Sequence, residues 1–308
     1  MWSCLMSRIV HRLTSPAGAA VPALIAVTAV WGLTFVQVKD AVAIYPLFPF
    51  LALRFAIATL VLAPFAAGRI RGLGVRGWAS AAIAGGLIAA GYTLQTLGLE
   101  RTSVSSAGFV TGMYVVLTPL IAFACFRVRI APAVWGGVGL ATLGLALLAG
   151  IQGGALGGNA LVLAGAAVYS LQIVLMERYA PRYDALGFTL VEMLAAFAVL
   201  GIVAIPSFEA PHGWTVWGAL LVTGIFASAL AFLVQTWAQR RTSATQTAVV
   251  FTLEPAWAAL FGFWLAGDRL GAGRWAGCVA IMAGIVLAGR GETGPAPVLA
   301  EPEHARAA

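Results

Sequence analysis

Ten apolar segments, each about 20 residues long, occupy most of this chain of 308 residues. A helix needs about 20 residues to cross the hydrocarbon core of a bilayer. The segments are about twice as long as the strands of a membrane β-barrel, and they lack the alternation of such strands. The chain is therefore predicted to be an all-α polytopic membrane protein with ten transmembrane helices. The predicted spans cover residues 17–38, 44–67, 78–99, 104–126, 130–151, 160–176, 185–206, 214–238, 244–266 and 272–289.

The composition excludes several classes of function. Hydrophobic residues make up 61% of the chain and charged residues 9%, against about 45–50% and 25% in soluble domains. A soluble enzyme, a nucleic-acid-binding protein and a secreted disulfide scaffold are all incompatible with these proportions. The cysteines Cys4, Cys125 and Cys278 are scattered and show no metal-binding spacing. We therefore expect no metal, no cofactor and no nucleic-acid partner.

The basic residues predict the orientation in the membrane. Four of them (Lys39, Arg101, Arg269 and Arg274) fall in loops on one side, and Arg54 lies inside a span. Cytoplasmic loops carry the excess of Lys and Arg, so the richer side is predicted to be cytoplasmic, together with both termini. The basic residues of that side are Arg8, Arg12, Arg69, Arg71, Arg76, Arg127, Arg129, Arg178, Arg182, Arg240, Arg241, Arg290 and Arg306.

The two halves of the chain resemble each other at a shift of 140 residues. The matching positions are Gln95-Thr96 with Gln235-Thr236, Arg101-Thr102-Ser103 with Arg241-Thr242-Ser243, Trp135 with Trp275, Gly137 with Gly277, and Gly144 with Gly284. Each half then holds five spans, and an odd number forces the second half to enter the membrane inverted. Inverted repeats are typical of secondary transporters, whose binding sites lie near the midplane at the repeat interface.

The same stretches resemble a known family. The motifs are Arg241-Thr242-Ser243, Phe251 to Pro255, Gly267 to Leu270 and Trp275 to Gly284 in the second half, and Arg101-Thr102-Ser103, Thr118-Pro119 and Trp135 to Gly144 in the first, with Trp31-Gly32 and Arg54-Phe55 before them. Together they resemble the EamA-type transporters of the drug/metabolite transporter superfamily. The resemblance implies ten helices around a central cavity, and movement of small organic solutes, usually outward. Arg127-Val128-Arg129 departs from the acidic-basic turn seen at Asp268-Arg269.

This resemblance and the repeat together predict the domain organisation. Residues 1–16 are expected to form a cytoplasmic N-terminal segment, and residues 17–151 the first five-helix repeat. Residues 152–289 are expected to form the second repeat. Residues 290–308, rich in Gly, Pro, Ala and Glu, are expected to form a disordered cytoplasmic tail because they have too little apolar bulk to bury.

Three ionisable residues lie well inside predicted spans: Arg54, Glu192 and Glu254. A charge at the bilayer centre costs at least about 2.5–3.5 kcal/mol, so these side chains face a cavity or one another. Pro255 disturbs the helix one turn earlier, and Glu254 beside it is a candidate site for a proton or a substrate ammonium group. Arg54 is a candidate clamp for a substrate carboxylate or phosphate. The alternative is an ion pair of Arg54 with Glu254 or Glu192 that joins helices.

Polar and aromatic residues of the spans complete the predicted substrate site. Gln95 lies near the outer end of its span and its repeat mate Gln235 near the inner end of another, so the two are candidate gates of an alternating-access cavity. For any single aromatic residue the alternative is packing or anchoring at the interface. The further candidate lining residues are Trp31, Tyr92, Tyr114, Tyr169 and Gln172.

The sequence predicts a transporter and not an enzyme. It contains no ATP-binding loop and no hydrolase or metalloprotease motif, so uphill transport must draw on an ion gradient. We expect a multi-pass protein of the cell inner membrane, monomeric or homodimeric, that exports metabolites, amino acids or toxic compounds by proton exchange. The alternatives are a facilitator without ion coupling, a membrane-embedded enzyme and a non-transporting receptor. The expected partners are a small-molecule substrate, the lipid bilayer and protons.

Overall fold

The computed structural model describes residues 19–102, 104–127, 130–149, 156–265 and 271–291. These residues form helices α1 to α10 and three single-turn 3₁₀ helices, and no strand lies among them. The predicted N-terminal segment, the tail beyond Gly291 and the Asp268-Arg269 turn lie outside the described residues. The helices are α1 Ala20–Val42, α2 Leu47–Ala66, α3 Gly74–Leu99, α4 Val104–Gly112 with Tyr114–Phe126, α5 Pro132–Ala149, α6 Leu156–Tyr179, α7 Ala185–Ala204, α8 Gly213–Leu221 with Val222–Leu230 and Ala231–Gln239, α9 Ala244–Phe251 with Leu253–Leu265, and α10 Ala272–Gly291.

Seven helical stretches among the described residues have the length and apolar composition of a membrane span. They are Ala20–Val42, Leu47–Ala66, Ile70–Leu99, Ala107–Phe126, Leu156–Arg182, Ala185–Ser207 and Gly213–Gln239, and shorter apolar helices cover Pro132–Leu147 and Ala272–Ala288. Large apolar side chains such as Leu60 and Ile202 are about 70% exposed on the outer surface. A surface of this kind suits lipid contact. The prediction of an all-helical membrane protein is thus confirmed, and the ten-span count stays a prediction.

Two helices are interrupted next to residues of the predicted site. Helix α9 breaks at Thr252, whose N–H donates to the carbonyl of Val249 in a tight i→i−3 turn. Pro255 follows three positions later and has no N–H for the carbonyl of Phe251, as the sequence predicted. Helix α4 breaks in the same way at Met113, whose N–H bonds to the carbonyl of Val110. Both breaks therefore lie within two residues of Tyr114 or Glu254.

The middle segment of α8, Val222–Leu230, is π-helical. A wider π turn shifts backbone carbonyls from their usual positions, and such turns are frequent at functional sites. Gly224 lets this segment approach α2 closely, since a Cβ there would lie 3.1 Å from the carbonyl oxygen of Arg54. The segment consequently presents its backbone to the Arg54 side chain.

The helix contacts follow the sequence repeat, in which each helix of the first half corresponds to the helix five places later. Helix α5 packs along its counterpart α10, and α2 packs along its counterpart α7. The contact of α3 with α6 corresponds to the contact of α8 with α1. At the α5–α10 crossing, a Cβ on Gly137 would lie 2.6 Å from the carbonyl oxygen of Gly284. A Cβ on Gly144 would lie 2.6 Å from the carbonyl oxygen of Gly277. These four glycines are the matching positions of the sequence repeat, so the crossing joins corresponding points of the two halves.

Candidate functional site

A central cavity of about 50 Å³ lies among helices α1, α3, α4, α6, α8 and α9. Eight of the ten residues that the sequence predicted for the substrate site line it. They are Trp31, Tyr92, Gln95, Tyr114, Tyr169, Gln172, Gln235 and Glu254. The structure therefore brings residues that are up to 223 positions apart in the sequence to one cavity.

A second cavity of about 30 Å³ adjoins the central one. The two share Trp31, Tyr92, Gln95 and Glu254, and the second also contacts Arg54. Its other lining residues are Thr34, Phe35, Val38, Thr96 and Leu99. Leu99 is the last residue of α3 and Val38 lies in the last turns of α1. The second cavity thus leads from the central space towards the helix ends that are predicted to face outward.

Six aromatic rings surround the central cavity and contact one another. Trp31 packs edge-on against Phe251 with ring centroids 5.0 Å apart, and it also contacts Phe232. Tyr92 packs edge-on against Tyr169 at 5.5 Å. The sixth ring is that of Tyr114. Rings with an acidic group among them attract organic cations through the negative potential of their faces.

Arg54 is 2% exposed and is fixed from two sides. Its Nε donates to the hydroxyl of Ser228 (2.7 Å), and one Nη donates to the hydroxyl of Tyr92 (2.9 Å) and to the carbonyl of Ala227 (3.3 Å). The indole N–H of Trp31 donates to the same carbonyl at 2.8 Å. Ala227 and Ser228 belong to the π-helical segment, so this segment positions both Arg54 and Trp31. Nη1 of Arg54 makes no hydrogen bond with another described residue.

Glu254 is 7% exposed and lines both cavities. Its one hydrogen bond to a described residue is long, with the hydroxyl of Tyr114 donating to Oε2 at 3.4 Å. The other carboxyl oxygen faces no such donor. Glu254 is therefore an acidic group with spare hydrogen-bonding capacity inside a cavity, which suits binding of a proton or a cationic group.

The predicted alternative, an ion pair that joins Arg54 to Glu254 or Glu192, is not present. An ion pair does form between Arg69 and Asp184, at 3.0 Å on an exposed turn, but no such contact joins Arg54 to either glutamate in the described part of the chain. Arg54 and Glu254 instead border the second cavity from different helices. An anion and a cation that are close but unpaired leave room for a ligand with complementary charges between them.

The two predicted gate residues have different surroundings. On α3, Gln95 donates to the hydroxyl of Thr111 (3.0 Å) and accepts from the hydroxyl of Tyr169 (3.1 Å). On α8, Gln235 is 1% exposed and donates to the side-chain oxygens of Gln172 (3.0 Å) and Gln239 (2.8 Å). Each glutamine joins its own helix to α6. Their gating role stays a prediction.

Glu192 is the predicted site residue that borders neither of these two cavities. It lies on α7, is 0% exposed, and accepts hydrogen bonds from Thr236 and Gln172. Gln172 also lines the central cavity, so Glu192 is one hydrogen bond removed from that space. Its predicted contact with substrate stays a prediction, and its neighbours point to a different use.

Sequence reasoning missed four lining residues: Thr111, Ile173, Phe232 and Phe251. The repeat register contained the signal for Phe232, the mate of the predicted Tyr92, and it pairs two of the others with each other. Phe232 lies 140 positions after Tyr92, and Phe251 lies 140 positions after Thr111. Gln95 with Gln235 and Tyr114 with Glu254 have the same spacing, so eight of the twelve lining residues form repeat-related pairs. The described residues contain no group of three or more His, Cys, Asp or Glu side chains that would hold a metal ion.

Comparison with known proteins agrees with this architecture. The model of the EamA-like transporter family matches twice, over residues 18–150 and 156–290. The chain belongs to the EamA-like transporter family. An uncharacterized transporter of Archaeoglobus fulgidus is 31% identical over 281 residues, which cover 90% of this chain and 86% of that protein. The chain is thus a multi-pass membrane protein of a transporter family, as the resemblance implied.

A solved crystal structure has the same fold. It superposes with a TM-score of 0.72 and covers 88% of this chain and 96% of its own. The sequences are 21% identical, so this likeness extends to the fold alone. The family match therefore carries the functional class, and the substrate has to be inferred from the cavity of this chain.

Proposed function

We propose that this EamA-type transporter exports small organic solutes in exchange for protons, with Glu254 binding either the proton or a cationic group of the solute. The solutes would be metabolites, amino acids or toxic compounds. The observation that carries the proposal is a carboxyl group with one long hydrogen bond that borders a cavity lined by six aromatic rings. A carboxyl group of this kind can exchange one positively charged ligand for another, and that exchange is what couples two fluxes.

The neighbouring cavity extends the proposal to the rest of the solute. Arg54 borders that space and its Nη1 has unused hydrogen-bonding capacity, and a guanidinium group binds carboxylates and phosphates. A solute with an amino group at Glu254 and an acidic group at Arg54 would complement both charges. Solutes with an amino group alone would use Glu254 and the aromatic rings.

The proposed membrane arrangement has ten helices in two inverted five-helix repeats, both termini in the cytoplasm, and the inner membrane as location. The basic loops support the orientation. The glycine-mediated crossing of α5 with α10 at repeat-related positions and the paired lining residues of the cavity support the repeat. An odd number of spans in each half would invert the second half, which is how alternating access is built in many secondary transporters.

Untargeted profiling of culture medium tests the proposed export. Cells producing the wild type are compared with cells producing Glu254→Gln at matched membrane levels, because glutamine keeps the size of the side chain and removes its charge. Glu100→Gln is the matched control, since Glu100 is exposed at the end of α3. We expect a compound enriched outside wild-type and Glu100→Gln cells and absent from the Glu254→Gln medium. Enrichment that persists in Glu254→Gln would contradict the role of this carboxyl group.

A further inference from the structure

A closed group of polar side chains lies between helices α6, α7 and α8, beside the central cavity. Its members are Gln172, Thr189, Glu192, Gln235, Thr236 and Gln239, and each is 2% exposed or less. The hydroxyl of Thr189 donates to that of Thr236 (2.9 Å), which donates to Oε2 of Glu192 (3.2 Å). We call this group the α6–α8 polar cluster.

The cluster separates the central cavity from the ends of α6 and α8 that are predicted to face the cytoplasm. Gln172 and Gln235 belong both to the cluster and to the cavity lining. One turn further along α8, Gln239 donates to the carbonyl of Ile173 on α6 at 2.9 Å. These bonds hold α6 against α8 between the cavity and those helix ends, so separation of the cluster would widen the space on that side.

Glu192 is the one acidic member of the cluster, and it has no cationic partner among the described residues. The helices packed against α7 each carry few charges. Arg54 on α2 is engaged by Ser228, Tyr92 and Ala227, and α8 carries no charged residue. The other charged or titratable groups on the neighbouring elements and at the start of α7 are Arg69, Arg71, Arg76, Tyr92, Glu177, Arg178, Tyr179, Tyr183 and Asp184. None of them forms an ion pair with Glu192.

An ionised carboxylate without a counter-charge costs several kcal/mol in a buried site. Two neutral donors, one of them at 3.5 Å, compensate only part of that cost. The neutral acid has the same shape, keeps two oxygens for its donors and adds one O–H donor. The oxygen Oε1 of Gln235 is buried and has no hydrogen-bond partner, so the cluster still contains an unused acceptor. The closed arrangement therefore suits a protonated Glu192.

We propose that Glu192 is a proton-binding site distinct from Glu254, and that release of its proton opens the α6–α8 polar cluster to the cytoplasmic side. A carboxylate that loses its proton gains from hydration, and hydration requires separation of the three helices. Binding of the proton restores a neutral, closed cluster. The proposal takes its orientation from the proposed function, but a labelling experiment on the cluster needs no substrate and leaves the role of Glu254 open.

Cysteine labelling in everted membrane vesicles tests this site. Cys4, Cys125 and Cys278 are first replaced by serine, and Ile173→Cys then places a thiol between the cavity and the cluster. A membrane-impermeant maleimide reaches only the cytoplasmic face of these vesicles. Gly72→Cys, on an exposed turn with open space around it, corrects for the intrinsic pH dependence of thiol reactivity.

We expect the corrected labelling of Ile173→Cys to rise by about tenfold between about pH 6 and pH 9, as for a single titrating group with closed and open states. With Glu192→Gln, which imitates the neutral acid, labelling should stay low at every pH. Glu192→Asp should retain a pH-dependent rise. With Glu254→Gln the rise should persist, because Glu254 lies outside the cluster.

Four results would overturn the proposal. The first is a flat profile in the Glu192-containing protein, and the second is an unchanged rise in Glu192→Gln. The third is loss of the rise in Glu254→Gln, which would assign the titration to Glu254 and leave the proposed export intact. Labelling that follows sodium at constant pH would also reject a proton. If Glu192→Gln fails to elute as a monodisperse protein, the profiles of the parent and of Glu254→Gln still decide.

Discussion

Two glutamates sit inside the same helical bundle, and their surroundings differ. Glu254 borders two cavities and accepts one long hydrogen bond, from Tyr114. Glu192 is wholly buried and accepts bonds from Thr236 and Gln172 within a closed cluster. The carboxyl group of Glu254 therefore has hydrogen-bonding capacity left for a ligand, whereas that of Glu192 is bonded to side chains of other helices.

The difference teaches that an acidic residue inside a membrane span does not by itself identify a substrate site. What distinguishes the two is the set of groups within hydrogen-bond reach. Glu254 follows a helix break that leaves backbone and side chain facing a space. Glu192 lies on the uninterrupted helix α7, at the point where α3 comes so close that a Cβ on Gly85 would collide with the carbonyl of Glu192. Substitutions around the two residues should therefore have separable effects.

The largest effect should come from removing Arg54, the cationic residue that borders the second cavity together with Glu254. Arg54→Ala deletes hydrogen bonds to Ser228, Tyr92 and Ala227. The hydroxyls of Ser228 and Tyr92 lose this donor, whereas the carbonyl of Ala227 keeps its bond from Trp31. We expect a loss of about 2–4 kcal/mol in unfolding free energy, because charged hydrogen bonds and orphaned polar groups each contribute. Thermal unfolding in detergent measures the change. The exposed Arg71→Ala is the control and should stay near the wild type.

Arg54→Ala should alter only one side of the comparison. The pH-dependent labelling of Ile173→Cys should survive in this background, at a temperature where the variant remains folded. If Arg54→Ala changes the pH dependence of this labelling, Glu192 and Arg54 interact electrostatically. The two glutamates would then not act separately.

An intermediate effect should follow Thr236→Val, which keeps the side-chain shape and removes the hydroxyl. Glu192 loses one donor and Thr189 loses its acceptor, and we expect a cost of about 1–3 kcal/mol. The repeat mate Thr96 offers a matched control, because it is 2% exposed and its hydroxyl bonds to no other described residue. Thr96→Val should change stability by less than about 0.5 kcal/mol. Equal losses in the two variants would argue against a special role of the cluster.

The smallest effect should follow Tyr114→Phe. The bond from its hydroxyl to Glu254 is 3.4 Å long, and a bond of that length contributes less than about 1 kcal/mol. We expect export of the compound identified in the medium to fall by no more than about fivefold, which corresponds to 1 kcal/mol. A complete loss of export in Tyr114→Phe would mean that the hydroxyl contacts the solute directly.

Much of the fold and of the site could be predicted from the sequence. Apolar runs located the helices to within a few residues, since a helix in lipid must keep its backbone bonds internal. Pro255 predicted the break in α9 because proline lacks an N–H. Eight of the ten proposed site residues line one cavity, since polar and aromatic groups within apolar spans have few other places to lie.

The remaining features of the site depend on contacts between residues that are far apart in the sequence. The π-helical segment of α8 contains no proline or charge that would predict it, and its carbonyl at Ala227 is engaged by Arg54 and Trp31 from other helices. The sequence left an ion pair of Arg54 with Glu254 as an alternative, because both residues lie well inside predicted spans. Position along a span does not fix the distance between two side chains. Phe232 and Phe251 resemble ordinary packing residues until the repeat register is applied to them.

Proton flux in everted vesicles is the most direct measurement of the central claim, that Glu254 exchanges protons for solute. The vesicle interior is acidified, a pH-sensitive dye reports it, and the compound found in the culture medium is added outside. We expect compound-dependent proton release in the wild type and in Glu100→Gln, and none in Glu254→Gln at equal protein levels. Proton release of equal size in Glu254→Gln would contradict the claim. Wild-type uptake of the compound at a rate independent of the pH gradient would contradict it as well.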